Sequence, residues 1–312
     1  MRQRWMIVHK VVLKTVLPVI RMLPHRLAHA WLGTMGRLDL LVIPQQEQRY
    51  CEAVAQAAKR MRAEWPIRET ALELARQTYR WRVRDLMFDS TPPEKLDRWF
   101  QVSGREHLDQ AVARGRGVIL LANHFGSHVV TSHWMFKHGY DLRWFSEKPR
   151  NVSGYLLNKL QGDGPLGQSR MFISRRQSAA EAASSILRTA RGLSSGLIVK
   201  VACDVRWNGS HTSRAWFLGN EASYSKTWVM LAATTGAAVV PVFCQSDESG
   251  RYRLDFEPWY VVPSEAASGS QGDWWVQNAL DSVEERVRTH PEQSNDYFFW
   301  TDDELEADTR AA

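Results

Sequence analysis

The sequence has few cysteines, and none of them are paired at metal-binding or redox spacing. Cys51, Cys203 and Cys244 are the three cysteines of the 312-residue chain, and they lie far apart in the sequence. An odd number of distant cysteines argues against a disulfide framework, and the missing Cys-x-x-Cys pair argues against a zinc ribbon or a redox dithiol. We expect reduced core thiols in a reducing compartment.

The chain also lacks internal repeats, low-complexity tracts and any linker long enough to separate two cores. Because 44% of its residues are hydrophobic, it can bury a sizeable core. This composition excludes a disordered, collagen-like or coiled-coil protein. We predict one domain at residues 46–312, preceded by an arm at residues 1–45.

Acidic residues are missing from the start of the chain, where only basic charges precede Asp39. The apolar run from Trp5 to Ile20 is interrupted by Lys10 and Lys14 before it reaches the roughly 20 residues that span a bilayer. On a helix these lysines share one arc and the apolar side chains gather opposite, which is typical of a helix lying among anionic headgroups. We therefore predict an N-terminal amphipathic helical arm on an anionic membrane surface. The alternative is a helix packed on the protein's own core.

Short, continuous apolar runs alternate with helical patterns in the rest of the chain, which predicts an α/β fold with a mainly parallel central sheet flanked by helices. The runs that predict buried strands are Gly117–Ala122, Leu142–Ser146, Leu197–Cys203 and Ala237–Cys244. The helical patterns are two between residues 46 and 86, a short one from Pro93, Ser178–Arg191 and Thr227–Thr235. Residues 251–262 alternate like a half-exposed strand, and residues 264–272 resemble a flexible loop.

The run Leu120–His128 (LLANHFGSH) places His124 at the C-terminal end of a predicted buried strand, just before a glycine. Parallel α/β sheets place their chemistry at this edge. An imidazole, with an ordinary pKa of about 6.5, can take a proton from an alcohol or amine at neutral pH. We therefore predict that His124 is a general base.

Three other motifs are weaker. His124 and His128 have the spacing of a helical metal pair, but Phe125 occupies the position of the glutamate in a His-Glu-x-x-His protease and no nearby carboxylate or cysteine completes a ligand set, so we predict no metal. The run Gly192–Gly196 has the Gly-x-Ser-x-Gly pattern but precedes a strand instead of following one. The fourteen tryptophans fit core packing and interfacial anchoring better than nucleic-acid stacking, so we predict no nucleic-acid partner.

Several blocks resemble the lysophospholipid acyltransferase-like superfamily, in particular the bacterial branch of late lipid A acyltransferases. The blocks are Gly117–Ser127 (GVILLANHFGS), Trp216–Gly219 (WFLG) with the helix that ends at Leu231-Ala-Ala, Gly236–Cys244, and His290–Gln293 (HPEQ) with Tyr297–Trp300. They occur in the family's order over about residues 100–303.

Carried over from that family, His124 matches the catalytic base. The family has a carboxylate five residues after this histidine, but Val129 occupies the position here, next to His128. Three alternatives are open: Asp204, which resembles an aspartate after the corresponding family strand, is the first candidate for a substitute acid; His128 supplies a different hydrogen bond; or the protein has lost catalysis and kept binding.

The resemblance also suggests substrate-binding residues. Lys148 and Arg150 are nearest to a basic residue that helps to hold the acyl donor or the oxyanion in the family, and Arg175 and Arg176 lie where the family often has a basic pair that can contact phosphate. The alternative for each is a solvated surface charge.

The resemblance implies transfer of a fatty acyl group from acyl carrier protein or acyl-CoA to a hydroxyl or amine of a membrane lipid or glycolipid, without a cofactor. It places this reaction at the cytoplasmic face of the bacterial inner membrane, within lipid A and lipopolysaccharide biosynthesis. The alternative is a catalytically silent membrane-bound homologue that binds acyl lipid or scaffolds a biosynthetic complex.

Overall fold

The computed structural model describes residues 19–299, apart from residues 21, 90, 148–151, 162–171, 174–177, 208, 210, 268 and 269. Of the predicted arm at residues 1–45, residues 1–18 and 21 lie outside the described residues, and these include most of the apolar run from Trp5 to Ile20 on which the prediction of an amphipathic helix rests. The domain boundary near residue 45 stays a prediction. Among the helices that the structure describes, none is both long and apolar enough to cross a membrane.

A mostly parallel sheet forms the centre of the protein. The strands are β1 (Phe100–Ser103), β2 (Val118–Ala122), β3 (Leu142–Trp144), β4 (Ser146–Glu147), β5 (Phe172–Ile173), β6 (Ile198–Ala202), β7 (Thr212–Phe217), β8 (Asn220–Ser225), β9 (Ala238–Ser246), β10 (Tyr252–Phe256) and β11 (Tyr260–Val261). The main sheet has the order β1-β10-β9-β2-β6-β3, and β11 pairs with β9. Strands β9, β2, β6 and β3 are parallel, whereas β10 and β11 run antiparallel to β9. The predicted α/β fold with a mainly parallel sheet is confirmed.

Helices cover both faces of this sheet. They are α1 (His25–Val42), α2 (Pro44–Met61), α3 (Ile67–Phe88), α4 (Pro93–Leu96), α5 (Arg105–Ala113), α6 (His128–Lys137), α7 (Gly154–Gln161), α8 (Ala179–Ser194), α9 (Thr227–Thr235), α10 (Gln271–Thr289) and α11 (Asn295–Phe298). The apolar layer on one face includes side chains of α2, α3, α9 and α10, and the layer on the other includes α5, α6 and α7.

Strand β2 shows why its sequence is apolar throughout. Ile119 and Leu121 point into the first layer, whereas Val118, Leu120 and Ala122 point into the second. All five residues are buried. A strand with helices on both faces needs apolar side chains on both, so the sequence shows a continuous run instead of an alternation.

Local signals fix two of the helices. The side chain of Ser178 accepts a hydrogen bond from the Glu181 backbone, and the Glu181 side chain accepts one in return, which is a capping box at the start of α8. Helix α9 ends at Gly236, whose φ of 67° suits glycine better than any other residue. Both helices lie where the sequence predicted them.

Two local predictions were wrong. Strand β10 is not half-exposed, because Asp255 is buried with its carboxylate bonded to Ser103, Arg253 and Arg286. Residues 264–267 are not a flexible loop but a 3₁₀ helix, in which Ala266 is buried in the first apolar layer. The sequence patterns predicted neither the β7–β8 hairpin nor helix α10.

Candidate active site

The turn after β2 carries His124 and is held by side chains of its own. The Asn123 amide donates a hydrogen bond to the carbonyl of Val242 on β9 at 3.2 Å. The Asn123 side-chain oxygen accepts one from the Phe125 backbone at 3.1 Å. An asparagine that bonds two residues onward mimics a backbone turn. The chain therefore reverses direction at His124, while Phe125 is buried in the core.

Two backbone contacts continue this restraint. The Gly126 N–H donates to the carbonyl of Gln293 at 2.9 Å, and the Ser127 N–H donates to the carbonyl of Cys244 at 2.6 Å. Gly126 has a φ of 61°, and a Cβ at this position would lie 2.3 Å from the Cys244 oxygen. Only glycine fits here, because both the backbone angle and the available space exclude a side chain.

Asp204 lies beside His124 because β2 and β6 are neighbours in the sheet. Ala122 pairs with Ala202, so the residues that follow each strand emerge at the same edge. The Asp204 Oδ1 atom lies 2.8 Å from the His124 Nδ1 atom, and Oδ2 accepts the His124 backbone N–H at 2.7 Å. The Asp204 side chain is 0% exposed, whereas that of His124 is 35% exposed.

Tyr297, on α11, completes this network. Its hydroxyl donates to the Asp204 Oδ2 atom at 2.6 Å and accepts the His124 backbone N–H at 3.1 Å. The Tyr297 ring is buried and packs edge-on against Phe217, with ring centroids 5.2 Å apart. The C-terminal part of the domain therefore supports the turn twice, once through Tyr297 and once through the Gln293 carbonyl.

These contacts decide the charge of Asp204. Burial alone would raise the pKa of its carboxyl, but the charge of His124 and the hydrogen bonds from His124 and Tyr297 outweigh burial and lower that pKa. An ionised carboxylate only accepts hydrogen bonds, so the His124 Nδ1 atom must be the donor. The neutral ring then carries a lone pair on Nε2, which is the nitrogen that can accept a proton.

His128 and Val129 lie at the start of α6. The His128 ring packs edge to face on the His124 ring, with centroids 5.2 Å apart, and the His128 carbonyl accepts a hydrogen bond from Lys200 at 2.7 Å. Val129 is buried in the second apolar layer. Of the residues considered as partners for His124, the structure brings the Asp204 carboxylate within hydrogen-bonding distance of its ring.

The four basic residues that the resemblance suggested, Lys148, Arg150, Arg175 and Arg176, lie outside the described residues. Tyr297 and Gln293 were missed as site residues, although both belong to the C-terminal blocks that carry the resemblance. Within the described part of the chain, no group of three or more histidine, cysteine or acidic residues is arranged to hold a metal ion.

The fold is that of an α/β enzyme, and the histidine–carboxylate pair lies at the edge of the sheet where such enzymes place their chemistry. The sequence matches the family model described as bacterial lipid A biosynthesis acyltransferase over residues 4–301, nearly the whole chain. The chain therefore belongs to this family and is an acyltransferase of lipid A, and hence lipopolysaccharide, biosynthesis. Acyl transfer to a lipid acceptor is the reaction of the family. A comparison with curated proteins found no match.

Proposed function

We propose that the protein transfers a fatty acyl group from a thioester, carried by acyl carrier protein or coenzyme A, to a hydroxyl or amine of a membrane lipid or glycolipid. His124 is the general base in this proposal, and Asp204 orients it. The observation that carries the proposal is the contact between the buried Asp204 carboxylate and Nδ1 of the part-exposed His124 ring.

The reaction follows from this arrangement. The His124 Nε2 atom takes the proton of the acceptor hydroxyl or amine as its oxygen or nitrogen attacks the thioester carbonyl. Asp204 stabilises the imidazolium that forms. The tetrahedral intermediate then collapses, the carbon–sulfur bond breaks, and the imidazolium returns its proton to the thiolate. The products are an ester or amide and a free thiol, so no oxidant or metal enters the balance.

In this proposal Asp204 replaces the carboxylate that the family has at the position of Val129. We place the chain in the late branch of the family on the sequence blocks that resemble that branch. A buried valine suits this exchange, because a carboxylate among the apolar neighbours of Val129 would need a partner of its own. The His128 ring packs on the His124 ring, with centroids 5.2 Å apart, and therefore limits the movement of the base.

The substrates set the remaining parts of the proposal. Lys148 and Arg150 hold the acyl donor or the oxyanion, and Arg175 and Arg176 contact a phosphate of the acceptor. A chain with a formal charge of +6 suits an acidic carrier protein and an anionic membrane surface. The reaction takes place at the cytoplasmic face of the inner membrane, where acyl thioesters are available.

The test is an acyl-transfer assay with labelled acyl thioesters and a lipid acceptor. We expect His124→Ala to lower turnover at least about a thousandfold. The matched control is His138→Ala, because His138 lies at the end of α6 and bonds Asp97, away from Asp204. His128→Ala tests the neighbouring ring, and we expect it to cost about tenfold. Equal turnover in His124→Ala and the wild type contradicts the assignment of the base.

The second candidate is a silent homologue that binds acyl lipid or scaffolds a complex, and the absent carboxylate at Val129 favours it. The same assay separates the two functions. A wild-type protein that binds lipid without any turnover supports the silent homologue and contradicts the enzyme.

A further inference from the structure

Helix α1 has two apolar faces, and one of them is packed. The packed face consists of His25, Ala28, His29, Leu32, Gly33, Gly36 and Leu40, all buried. Its glycines allow a close approach to α3, since a Cβ on Gly36 would lie 2.7 Å from the Ala75 carbonyl oxygen. This close packing fixes the rotation of α1 about its axis, and with it the direction of the opposite face.

The opposite face is also apolar but exposed. It consists of Leu27, Trp31, Leu38, Leu41 and Val42, which we name the α1 stripe. At the helical period these five positions fall within an arc of about 100° opposite the packed face. Thr34 lies in the same arc, and its hydroxyl donates to the Ala30 carbonyl at 3.0 Å. Leu41 is 65% exposed and Val42 is 70% exposed. A cluster of exposed apolar side chains on one helix face marks an interaction site, whereas a single exposed leucine is ordinary on a protein surface.

Basic residues border the α1 stripe. Arg26 and Arg37 are exposed and follow one edge of it, and Asp39, on the other side, is the one acidic residue of α1. Apolar side chains with arginines beside them match the acyl chains and phosphates of an anionic bilayer. Trp31 adds a residue type that favours the boundary between lipid and water. A symmetric contact with a second copy would instead bring these arginines together.

We propose that the α1 stripe lies in the headgroup layer of an anionic bilayer, with Arg26 and Arg37 at lipid phosphates. The inference rests on the proposed function in one respect, because the acceptor lipid lies in that bilayer. Docking there brings the domain to the surface from which the acceptor must be taken. Vesicle binding needs no turnover, so the two proposals fail separately.

The experiment compares two leucines of equal exposure in the full-length chain. Leu27 on the α1 stripe and Leu187 on α8 are each 58% exposed. We expect Leu27→Glu to weaken binding to phosphatidylglycerol–phosphatidylcholine vesicles about tenfold, and Leu187→Glu to leave it unchanged. Arg37→Gln should weaken binding to these vesicles but not to vesicles of phosphatidylcholine alone. The proposal is overturned if the two glutamate variants bind the vesicles equally well, whether both bind like the wild type or both bind more weakly.

Two further measurements test the folding of the variant and the identity of the occupant. An unchanged thermal midpoint in Leu27→Glu shows that the variant folds, which its exposed position predicts. Sedimentation velocity without lipid tests a second copy as the occupant: if Leu27→Glu dissociates a dimer while vesicle binding is unchanged, the stripe is a contact between chains and the bilayer proposal is wrong. If Leu27→Glu weakens binding in the full-length chain but not in a chain that lacks residues 1–18 and still binds the vesicles, Leu27 acts through those residues and the proposal is likewise overturned.

A separate observation concerns Tyr297. Its hydroxyl accepts the His124 backbone N–H, and it therefore gives its own proton to the Asp204 Oδ2 atom. The same Oδ2 atom accepts the His124 backbone N–H directly. These three bonds close a ring that prevents rotation of the carboxylate and leaves Oδ1 facing the imidazole.

We infer that Tyr297 is a positioning residue for the proposed acyl transfer, on which this second inference rests. The test is Tyr297→Phe, and the matched control is Tyr50→Phe, because Tyr50 is also buried and donates its hydroxyl to Thr78. We expect kcat to fall about tenfold in Tyr297→Phe. The part of its pH profile that reflects protonation of Asp204 should move to higher pH, because one of the bonds that lower the pKa of Asp204 is lost.

The chemical shifts of the His124 ring nitrogens report the tautomer without turnover, so they separate this inference from the proposed function. A Tyr297→Phe protein with the wild-type pH profile and wild-type nitrogen shifts contradicts the role of Tyr297. A wild type without turnover contradicts the proposed function alone.

Discussion

Replacing Asp204 with asparagine exchanges one carboxylate oxygen for an amide NH₂ group and so tests which atom of the site donates to the His124 ring. The amide has the size of the carboxylate, but the hydrogen-bond donors around it allow only one orientation. Its oxygen must occupy the Oδ2 position, because the His124 backbone N–H donates there at 2.7 Å and a second donor would repel it. The amide nitrogen is then placed 2.8 Å from the His124 Nδ1 atom.

This orientation reverses the tautomer of the ring. The amide N–H donates to Nδ1, so the neutral imidazole must carry its proton on Nε2 and no longer accepts one from the acceptor hydroxyl. The same exchange in a serine-protease triad lowers kcat roughly ten thousandfold. At about 1.4 kcal/mol per factor of ten, we expect Asp204→Asn to cost about 5 kcal/mol of transition-state stabilisation.

The assay is single-turnover acyl transfer from a labelled thioester, which separates chemistry from product release. The control is Asp255→Asn, because Asp255 is another buried carboxylate, bonded to Arg253 and Arg286 on β10 and α10. We expect this control to lose stability and to keep turnover within a fewfold of the wild type. If Asp204→Asn stays within tenfold of the wild type, the tautomer argument is refuted.

Three further predictions concern stability and the turn. Val129→Asp should lower the free energy of unfolding by about 3 kcal/mol without raising turnover, because the new carboxylate is buried and Asp204 already holds the base; a tenfold gain would contradict this. Burial lowers the pKa of His29 from 6.5 to about 3, so the unfolded chain binds more protons than the folded chain below pH 6.5. The free energy of unfolding therefore falls as the pH is lowered. Urea unfolding should show a loss of about 2 kcal/mol from His29 between pH 6.5 and 5. The loss should be smaller in His29→Leu, where the remaining acid sensitivity comes from His25, whose pKa burial also lowers. Gly126→Ala should cost about 3 kcal/mol and most of the turnover, whereas Gly115→Ala, with a similar φ and open space, should cost about 1 kcal/mol by thermal unfolding.

The sequence predicted the elements whose signals are local. The apolar run of β2 and the capping box of α8 depend on neighbouring residues, so their positions could be read without the fold. The fold class followed from the alternation of these elements. The buried β10 was mispredicted, because Arg286, which forms an ion pair with Asp255, lies 31 positions away in the sequence.

The candidate site was predicted only in part, because one of its residues has a local sequence signal and the others are brought to it by the fold. His124 follows a recognisable strand and is itself a reactive residue type, so one segment was enough to find it. Its partners are 80 and 173 positions away, and no periodic pattern connects them to it. Asp204 was a candidate because it resembles an aspartate that follows the corresponding strand in the family, but only the pairing of β2 with β6 shows that the two strands end side by side. Tyr297 lies in a four-residue helix and gave no signal of its own.

The distance in sequence between His124 and Tyr297 has a consequence for the growing chain. Tyr297 is the 173rd residue that a ribosome adds after His124. The α1 stripe emerges long before either, so a nascent chain can settle on lipid while its imidazole still lacks full support. Under the proposed mechanism, acylation by such a chain is slow until Tyr297 has left the exit tunnel and can bond Asp204.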